Sequence, residues 1–328
     1  MTSLSAALGP FEQIQGNTSF SQKLPTLQIA WDSTSMGTFK ECPYKYYLTM
    51  ILGYQSRSES VHLTFGLLYH KALEHYDHGR ARGMDHESAT VFAVKYCMEA
   101  TWDERRNQPW RSDDPNKNRF TLVRTVVWYL EQFAEDSFET LILDNGKPAV
   151  ELSFRFENGY ESKLTNEHFM TCGHLDRLGK FEADQKNYIL DRKTTKNQVD
   201  TRFFAKFTPD NQFSTYMVGG KIALGAPVAG LIVDAAQIAV TFSRFERGII
   251  PRSDESLEEW FADYGMYLGQ AQIFASSGRW PQNDKSCNNY GGCQFRGVCS
   301  KGMSTRAEWL KGEFTRRVWD PLMVRGDI

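Results

Sequence analysis

Two strand-like runs joined by a short polar turn constrain this chain more than any other feature. Phe169–Phe181 and Asn187–Thr195 flank the turn-rich EADQKN, which predicts an antiparallel hairpin. Asp191 and Lys193 sit two residues apart on the second run, so they share one face of the strand. A turn centred near Asp184–Gln185 sets Asp176 opposite Lys193 and within reach of Asp191. Two carboxylates and one ammonium then converge. A hard divalent cation prefers such oxygen donors, and phosphodiester hydrolysis needs one to hold the phosphate and offset charge. Lys193 would orient the attacking water or stabilise transition-state charge. The same residues also fit a solvated hairpin salt bridge worth only ~0–1 kcal/mol.

The flanking patterns place this hairpin in a mixed α/β chain. Ser33 and Ser35 read as N-caps of a helix carrying Met36, Phe39 and Tyr46/Tyr47. Helical periodicity recurs over about 62–80, 87–106 and 118–143, with the loop QPWRSDDPNKN before the last of these. Val150–Phe156 alternates as a strand, a helix covers about 209–224, Gly230–Phe242 is an apolar strand, and 254–278 is an aromatic-rich helix. The order predicts a mixed central sheet flanked by helices.

With 41% hydrophobic and 24% charged residues, the 328-residue chain has a globular composition. Its 38 Lys+Arg against 40 Asp+Glu give a net charge of −2, which excludes a wrapping polycation. Any contact with nucleic acid must come from local basic patches. The N-terminal residues lack a secretory pattern, and no apolar run reaches the roughly 18 residues of a membrane span. The expectation is a soluble, cytoplasmic protein without membrane partners.

GHLDR followed by ILDRKT resembles the active-site signature of PD-(D/E)xK nucleases, and more narrowly their RecB-like branch. Three further motifs agree in order. Gly66-LLY-His70-KALE is similar to the branch's histidine motif, Gln212-FST-Tyr216 to its Q-x-x-x-Y motif, and Ser35-MGTF-KE-Cys42-PYKYY to its opening helix. The resemblance implies a restriction-endonuclease-like core with a helical insertion. It also implies Mg²⁺ or Mn²⁺ held by His70, Asp176, Asp191 and the backbone carbonyl of Arg192. Lys193 would be the catalytic lysine, with Gln212 and Tyr216 positioning DNA or that lysine. Glu151 could add an acid or face outward from its strand. The implied organisation is an N-terminal arm over 1–28 and one nuclease domain over 29–328. Within that domain, 62–147 would be helical, 148–250 the catalytic sheet and 280–300 a cysteine loop closing onto Cys42.

Six cysteines in a chain without a secretory signal are read as thiols rather than disulfides. Cys287, Cys293 and Cys299 recur as C-x5-C-x5-C in a Gly-rich loop, a pattern suggestive of metal ligation. Members of the RecB-like branch similar to AddB-type and CRISPR-associated acquisition nucleases carry a 4Fe–4S cluster on one early and three late cysteines, commonly C-x2-C-x5-C. Cys42 with the late triplet matches that layout. Four thiolates can hold Zn²⁺ as well as a 4Fe–4S cluster. Cys97 and Cys172 read as ordinary buried thiols.

Local basic excess follows the hairpin at Arg192, Lys193, Lys196, Arg202 and Lys206, then Arg244 and Arg247, and again at Arg296, Lys301, Arg306, Lys311, Arg316 and Arg317. These are candidate phosphate contacts. Phe203, Phe204 and Phe207 could stack on unpaired bases or pack under the next helix. The resemblance implies exonuclease action on single strands or DNA ends in recombination, repair or CRISPR-type adaptation. A helicase or assembly partner and a homo-oligomer are compatible with it. A non-catalytic DNA-binding module or an endonuclease would use the same fold.

Overall fold

The computed structural model describes residues 19–57 and 60–323. Residues 1–18 of the expected arm, and 58–59 and 324–328 of the expected domain, lie outside the described residues. Strands β1 (Ala30–Trp31) and β2 (Tyr54–Ser56) bracket helices α1 (Ser33–Glu41) and α2 (Pro43–Tyr46). Helices α3 (Val61–Ala81) and α4 (His86–Ala100) precede a small ribbon, β3 (Trp102–Asp103) and β4 (Gln108–Pro109). Then come α5 (Arg119–Gln132), β5 (Phe138–Thr140), β6 (Val150–Glu161), β7 (His168–Phe181) and β8 (Lys186–Thr195). The chain continues through α6 (Thr201–Ala205), α7 (Asn211–Leu224), β9 (Gly230–Ile238), β10 (Ser243–Ile250) and α8 (Asp254–Ser277). Helices α9 (Arg296–Cys299) and α10 (Met303–Glu313) and strand β11 (Phe314–Arg316) complete it.

Several boundaries differ from the sequence expectation: the strand expected over Gly230–Phe242 stops at Ile238, and the one expected over Val150–Phe156 runs on to Glu161. Helix α1 is capped by Asp32, not by Ser33 or Ser35. Asp32 Oδ1 accepts from the Ser35 amide at 2.8 Å, while Ser35 Oγ accepts from the Asp32 amide at 3.3 Å, a reciprocal capping box. The helical periodicity of 118–143 stops at Gln132, because Phe138–Thr140 pairs antiparallel with Gly179–Phe181 of β7 instead. The periodicity of 87–106 likewise stops at Ala100, after which Trp102–Asp103 pairs with Gln108–Pro109.

The chain divides into two compact units. Among the described residues, one comprises 60–154 and 174–253, and the other 19–57, 155–173 and 254–323. In the first unit the sheet is mixed: β8 runs parallel to β9 and antiparallel to β7, and β10 runs antiparallel to β9. Phe65, Tyr69 and Leu73 of α3 pack with Leu122 and Val126 of α5 and with Ala236, Ile238 and Phe245 of the sheet. Against the opposite face lies α7. A Cβ on Gly220 would come within 2.6 Å of Ile189, so only glycine lets that helix approach β8 so closely. The β8 pleat therefore sends Ile189, Asp191 and Lys193 toward α7 and Leu190 and Arg192 toward α3–α5.

The hairpin register differs from the expected one. Glu182–Gln185 forms a four-residue turn, with Gln185 in the left-handed region at φ 57°. It is centred one residue earlier than Asp184–Gln185, so Phe181 pairs with Lys186 and Arg177 with Leu190. Extending that register sets Asp176 across from Asp191 rather than Lys193.

Behind the hairpin lies a buried charge network. Arg192 Nη2 meets Asp77 Oδ2 at 2.6 Å, and Arg177 Nη1 lies 3.8 Å from Asp77 and 3.1 Å from Asp136. Arg247 joins Asp136 to Asp234, and Tyr129 donates to Asp234. Three carboxylates balance three guanidiniums, so the network is neutral although it is desolvated. Asp77→Ala strands Arg192 without its carboxylate. It should lower unfolding free energy by about 3–5 kcal/mol in chemical denaturation.

In the second unit, β1 runs parallel to β7 through Ala30↔Met170. Trp31 stacks on Tyr46 at 5.2 Å, and Trp280 packs on Tyr46 and Tyr47. Gln28, fully buried, accepts from Tyr46 Oη at 2.8 Å and donates to Ser35 Oγ at 2.9 Å. Strand β11 pairs with β2, and the Tyr44 amide donates to Pro281 O at 2.9 Å. Early and late segments of the chain are thereby held together.

Candidate active site and cysteine pocket

Asp176 of β7 and Asp191 of β8 are buried side by side where α3 and α7 meet the sheet. Asp176 Oδ2 accepts the Arg192 amide at 2.8 Å and lies 3.2 Å from His70 Nδ1 of α3. Arg192 thus offers its amide to Asp176 while its guanidinium turns to Asp77. Lys193 Nζ lies 2.7 Å from Asp191 Oδ2, outside the angles a hydrogen bond requires, and donates to Gln212 Oε1 at 3.1 Å. One turn along α7, Gln212 Nε2 donates to Tyr216 Oη at 2.8 Å. Asp210 caps that helix by accepting the Phe213 amide, which fixes where Gln212 enters the site.

The electrostatics of the two acids diverge. Burial alone would raise Asp176, but His70, Lys193 and the Arg192 amide outweigh it and hold the acid well below the usual carboxylate range. Asp191 moves the other way: burial and the neighbouring Asp176 charge raise it despite Lys193. Burial opposes the charge on Lys193, yet Asp191 and Asp176 prevail and raise its pKa, so it stays an ammonium at neutral pH. Because the folded state holds a proton on Asp191 more tightly than the unfolded chain does, ionising it costs stability as pH rises past the ordinary carboxylate range. Asp176 has the opposite sign, giving stability that is lost as pH falls below that range. In chelator, Asp191→Asn should flatten the decline in unfolding free energy between about pH 4 and 7. Denaturant titrations across that range measure it.

The donors suit a hard divalent cation. Asp191 Oδ2 is buried without a hydrogen bond, Asp176 presents a second carboxylate, and His70 adds an imidazole. Among the described residues, no three or more His, Cys, Asp or Glu side chains stand close enough to clasp a metal as they are. Glu151 lies half-buried at the start of β6 with φ 48°, a backbone conformation rare for a strand residue.

Several basic candidates are committed elsewhere. Arg192 and Arg247 are bound in the buried network, Arg306 donates to the Cys299 and Lys301 carbonyls, and Arg316 to the Leu52 carbonyl. Phe203 and Phe207 pack inward, with Phe207 stacked on Phe213 at 5.0 Å, and Phe204 lies against Gly248. Two important residues escaped the sequence reading. Asp77 stands two helical turns after His70, an acid on the apolar side of α3. Lys117 lies in the loop read only as a connector.

Cys42, Cys287, Cys293 and Cys299 line one pocket in the second unit. The Asn283 amide donates to Cys42 Sγ at 3.4 Å, and Cys287 Sγ lies 3.8 Å from Asn283 O. The Cys293 amide donates to Cys287 O at 2.9 Å, and the Arg296 amide to Cys293 O at 3.0 Å, winding the loop around the pocket. Burial raises the Cys293 thiol and pushes Cys299 up to about 11. Soft thiol donors from two distant segments line this pocket, but like the carboxylates they do not stand close enough, as they are, to clasp a metal. Cys97 and Cys172 are buried singly, and burial pushes Cys97 to about 12.

No curated protein shows significant similarity to the sequence. A solved structure from Eubacterium rectale, provisionally assigned as an exonuclease, is 11% identical with a TM-score of 0.47, covering 84% of this chain and 93% of its own. The solved protein SSO0001 is 8% identical with a TM-score of 0.29, covering 74% and 97%. The family model of the PD-(D/E)XK nuclease superfamily matches residues 33–300. With its paired acids and lysine on one hairpin, the chain belongs to the PD-(D/E)XK nuclease superfamily.

Proposed function

We propose that the chain is a metal-dependent deoxyribonuclease of the RecB-like branch, acting as an exonuclease on single strands or DNA ends. The observation carrying this reading is the line of contacts from Asp191 through Lys193 and Gln212 to Tyr216, beside Asp176. A divalent cation bound by the carboxylates would supply charge neutralisation and a more acidic water. The chain's own residues do the rest. Lys193, kept protonated, is suited to neutralise charge on the phosphate rather than to remove a proton. Gln212 also holds the ammonium, and Tyr216 fixes which way the Gln212 amide points. His70 steadies Asp176 and adds a nitrogen donor.

The test compares wild type with Lys193→Ala in Mg²⁺ or Mn²⁺, on linear single strands labelled at either end and on closed circles. Wild type should degrade the linear strand, whereas Lys193→Ala should lose at least ~10²–10³-fold in rate and still bind DNA. Cutting of circles would make it an endonuclease, and binding without cleavage under any metal would make it a non-catalytic module.

The cysteine pocket is proposed to hold a 4Fe–4S cluster. Its support is that four thiols, Cys42 from the early segment and three from the late loop, line one pocket. Anaerobically prepared wild type should show broad visible absorption, and Cys293→Ala should lose it along with stability. A colourless, zinc-loaded wild type would replace the cluster with Zn²⁺.

A further inference from the structure

Directly after the catalytic lysine, two basic side chains gather around one carboxylate and a third lies beside them. Lys196 Nζ lies 3.2 Å from Asp114 Oδ2, and His62 Nδ1 lies 3.8 Å from the same oxygen. Lys117, only 3% exposed, donates weakly to Thr194 Oγ1 at 3.4 Å and sits 5.4 Å above the Phe65 ring. These groups come from the start of α3, the loop before α5 and the end of β8. Two lysines against a single acid leave the locus positive even when His62 is neutral. A buried ammonium whose one hydrogen bond goes to a hydroxyl is poorly compensated. Its pKa is accordingly lowered, by burial first, with Asp114 opposing and Lys196 adding to it.

Asp114 is itself held in place. Its Oδ1 accepts the Asn116 amide at 2.9 Å and the Lys117 amide at 3.2 Å, so backbone donors and the Lys196 ammonium converge on an anion. The surroundings favour a nucleic-acid strand over a free ion. Leu63 and Phe120, sequence neighbours of the cradle, are 70% and 74% exposed and could meet bases while the cradle holds a phosphate. Thr194 follows Lys193 in the strand but points to the opposite face, so the cradle and the catalytic lysine flank the same strand end.

We propose that Lys117, Lys196 and His62 form a binding cradle for a backbone phosphate of the substrate strand, with Asp114 standing in for that phosphate in the free protein. The proposal rests on the deoxyribonuclease reading and deepens it by naming where a second phosphate sits. No bond is made or broken there. The phosphate displaces the Asp114 carboxylate from Lys196 and His62 and gives the Lys117 ammonium an anionic partner, leaving Asp114 to its backbone amides.

The test is binding of a labelled single-stranded oligonucleotide across a salt series, in chelator to prevent hydrolysis. Lys117→Gln and Lys196→Gln should each weaken binding and each reduce the log–log salt slope by about 0.7. Asp114→Asn keeps an oxygen for the two amides but removes the competing charge, and should tighten binding several-fold. Replacing one phosphodiester in turn with neutral methylphosphonate should erase the wild-type advantage over Lys196→Gln at one position. Oligonucleotides with and without a terminal phosphate separate an internal phosphate from an end. If wild type binds but all three variants match it in affinity and slope, the cradle is overturned and the nuclease reading stands. Failure of the wild type to bind any DNA would take down both, whereas binding without cleavage in the metal assay would take down the nuclease reading alone. Should Lys117→Gln misfold, the partly exposed Lys196→Gln and the Asp114→Asn variant still decide the matter.

Discussion

The site depends on Arg192 being held from two directions. Its guanidinium is drawn into the buried pair with Asp77, while its amide is given to Asp176. A strand alternates, so fixing Arg192 on one face fixes Asp191 and Lys193 on the other. Asp77 lies on the same helix as His70. The contact that anchors the helix to the strand therefore also sets the imidazole at Asp176. Removing water from so many charges is costly, and the network tolerates it only because each carboxylate has a guanidinium within reach. Rigidity bought this way is what a metal site needs, since carboxylates displaced by an ångström no longer share a ligand.

On this platform the two acids are made unequal. Asp176 collects donors, including an imidazole, an amide and the Lys193 field, whereas Asp191 relies chiefly on the ammonium. Neighbouring carboxylates in a shared dry site cannot both ionise without help. Divergence of this kind is destabilising for the empty protein and useful for one that takes up a cation. Lys193 is pulled in two directions, by Asp191 and by Gln212, so it is positioned without being neutralised.

Much of this was legible in the sequence because it depends on local rules. The two hairpin runs, the pairing of Asp191 with Lys193 on one face and the helical spacing of Gln212 and Tyr216 all follow from periods of two and 3.6 residues. The register across the turn did not. It hinged on whether Gln185 would take a left-handed conformation, which composition does not reveal. Phe138–Thr140 was hidden for a related reason: its periodicity continued the preceding helix, and only long-range pairing with β7 makes it a strand. Asp77 was missed because a lone acid in a helix reads as surface, and its meaning comes from arginines a hundred or more residues away. The same applies to the arginines themselves. Counting basic residues treats Arg192 and Arg247 as phosphate contacts, whereas burial commits both to carboxylates.

That sorting explains how a chain with a net charge of −2 can address a polyanion. Once guanidiniums bound to carboxylates or carbonyls are set aside, cationic character near the hairpin resides largely in lysines: Lys193 within the site, and Lys117 and Lys196 at the strand end. Lysine suits the task, since its ammonium is a compact charge that can exchange one oxygen partner for another. Arginine, with its planar fork, is used here where the partner is permanent. The division of labour places immobile charge behind the sheet and exchangeable charge where β8 ends. Binding then need not disturb the network that holds the acids, because the partner each lysine gives up is a carboxylate, an amide oxygen or a hydroxyl within the site or its adjoining strand and loop.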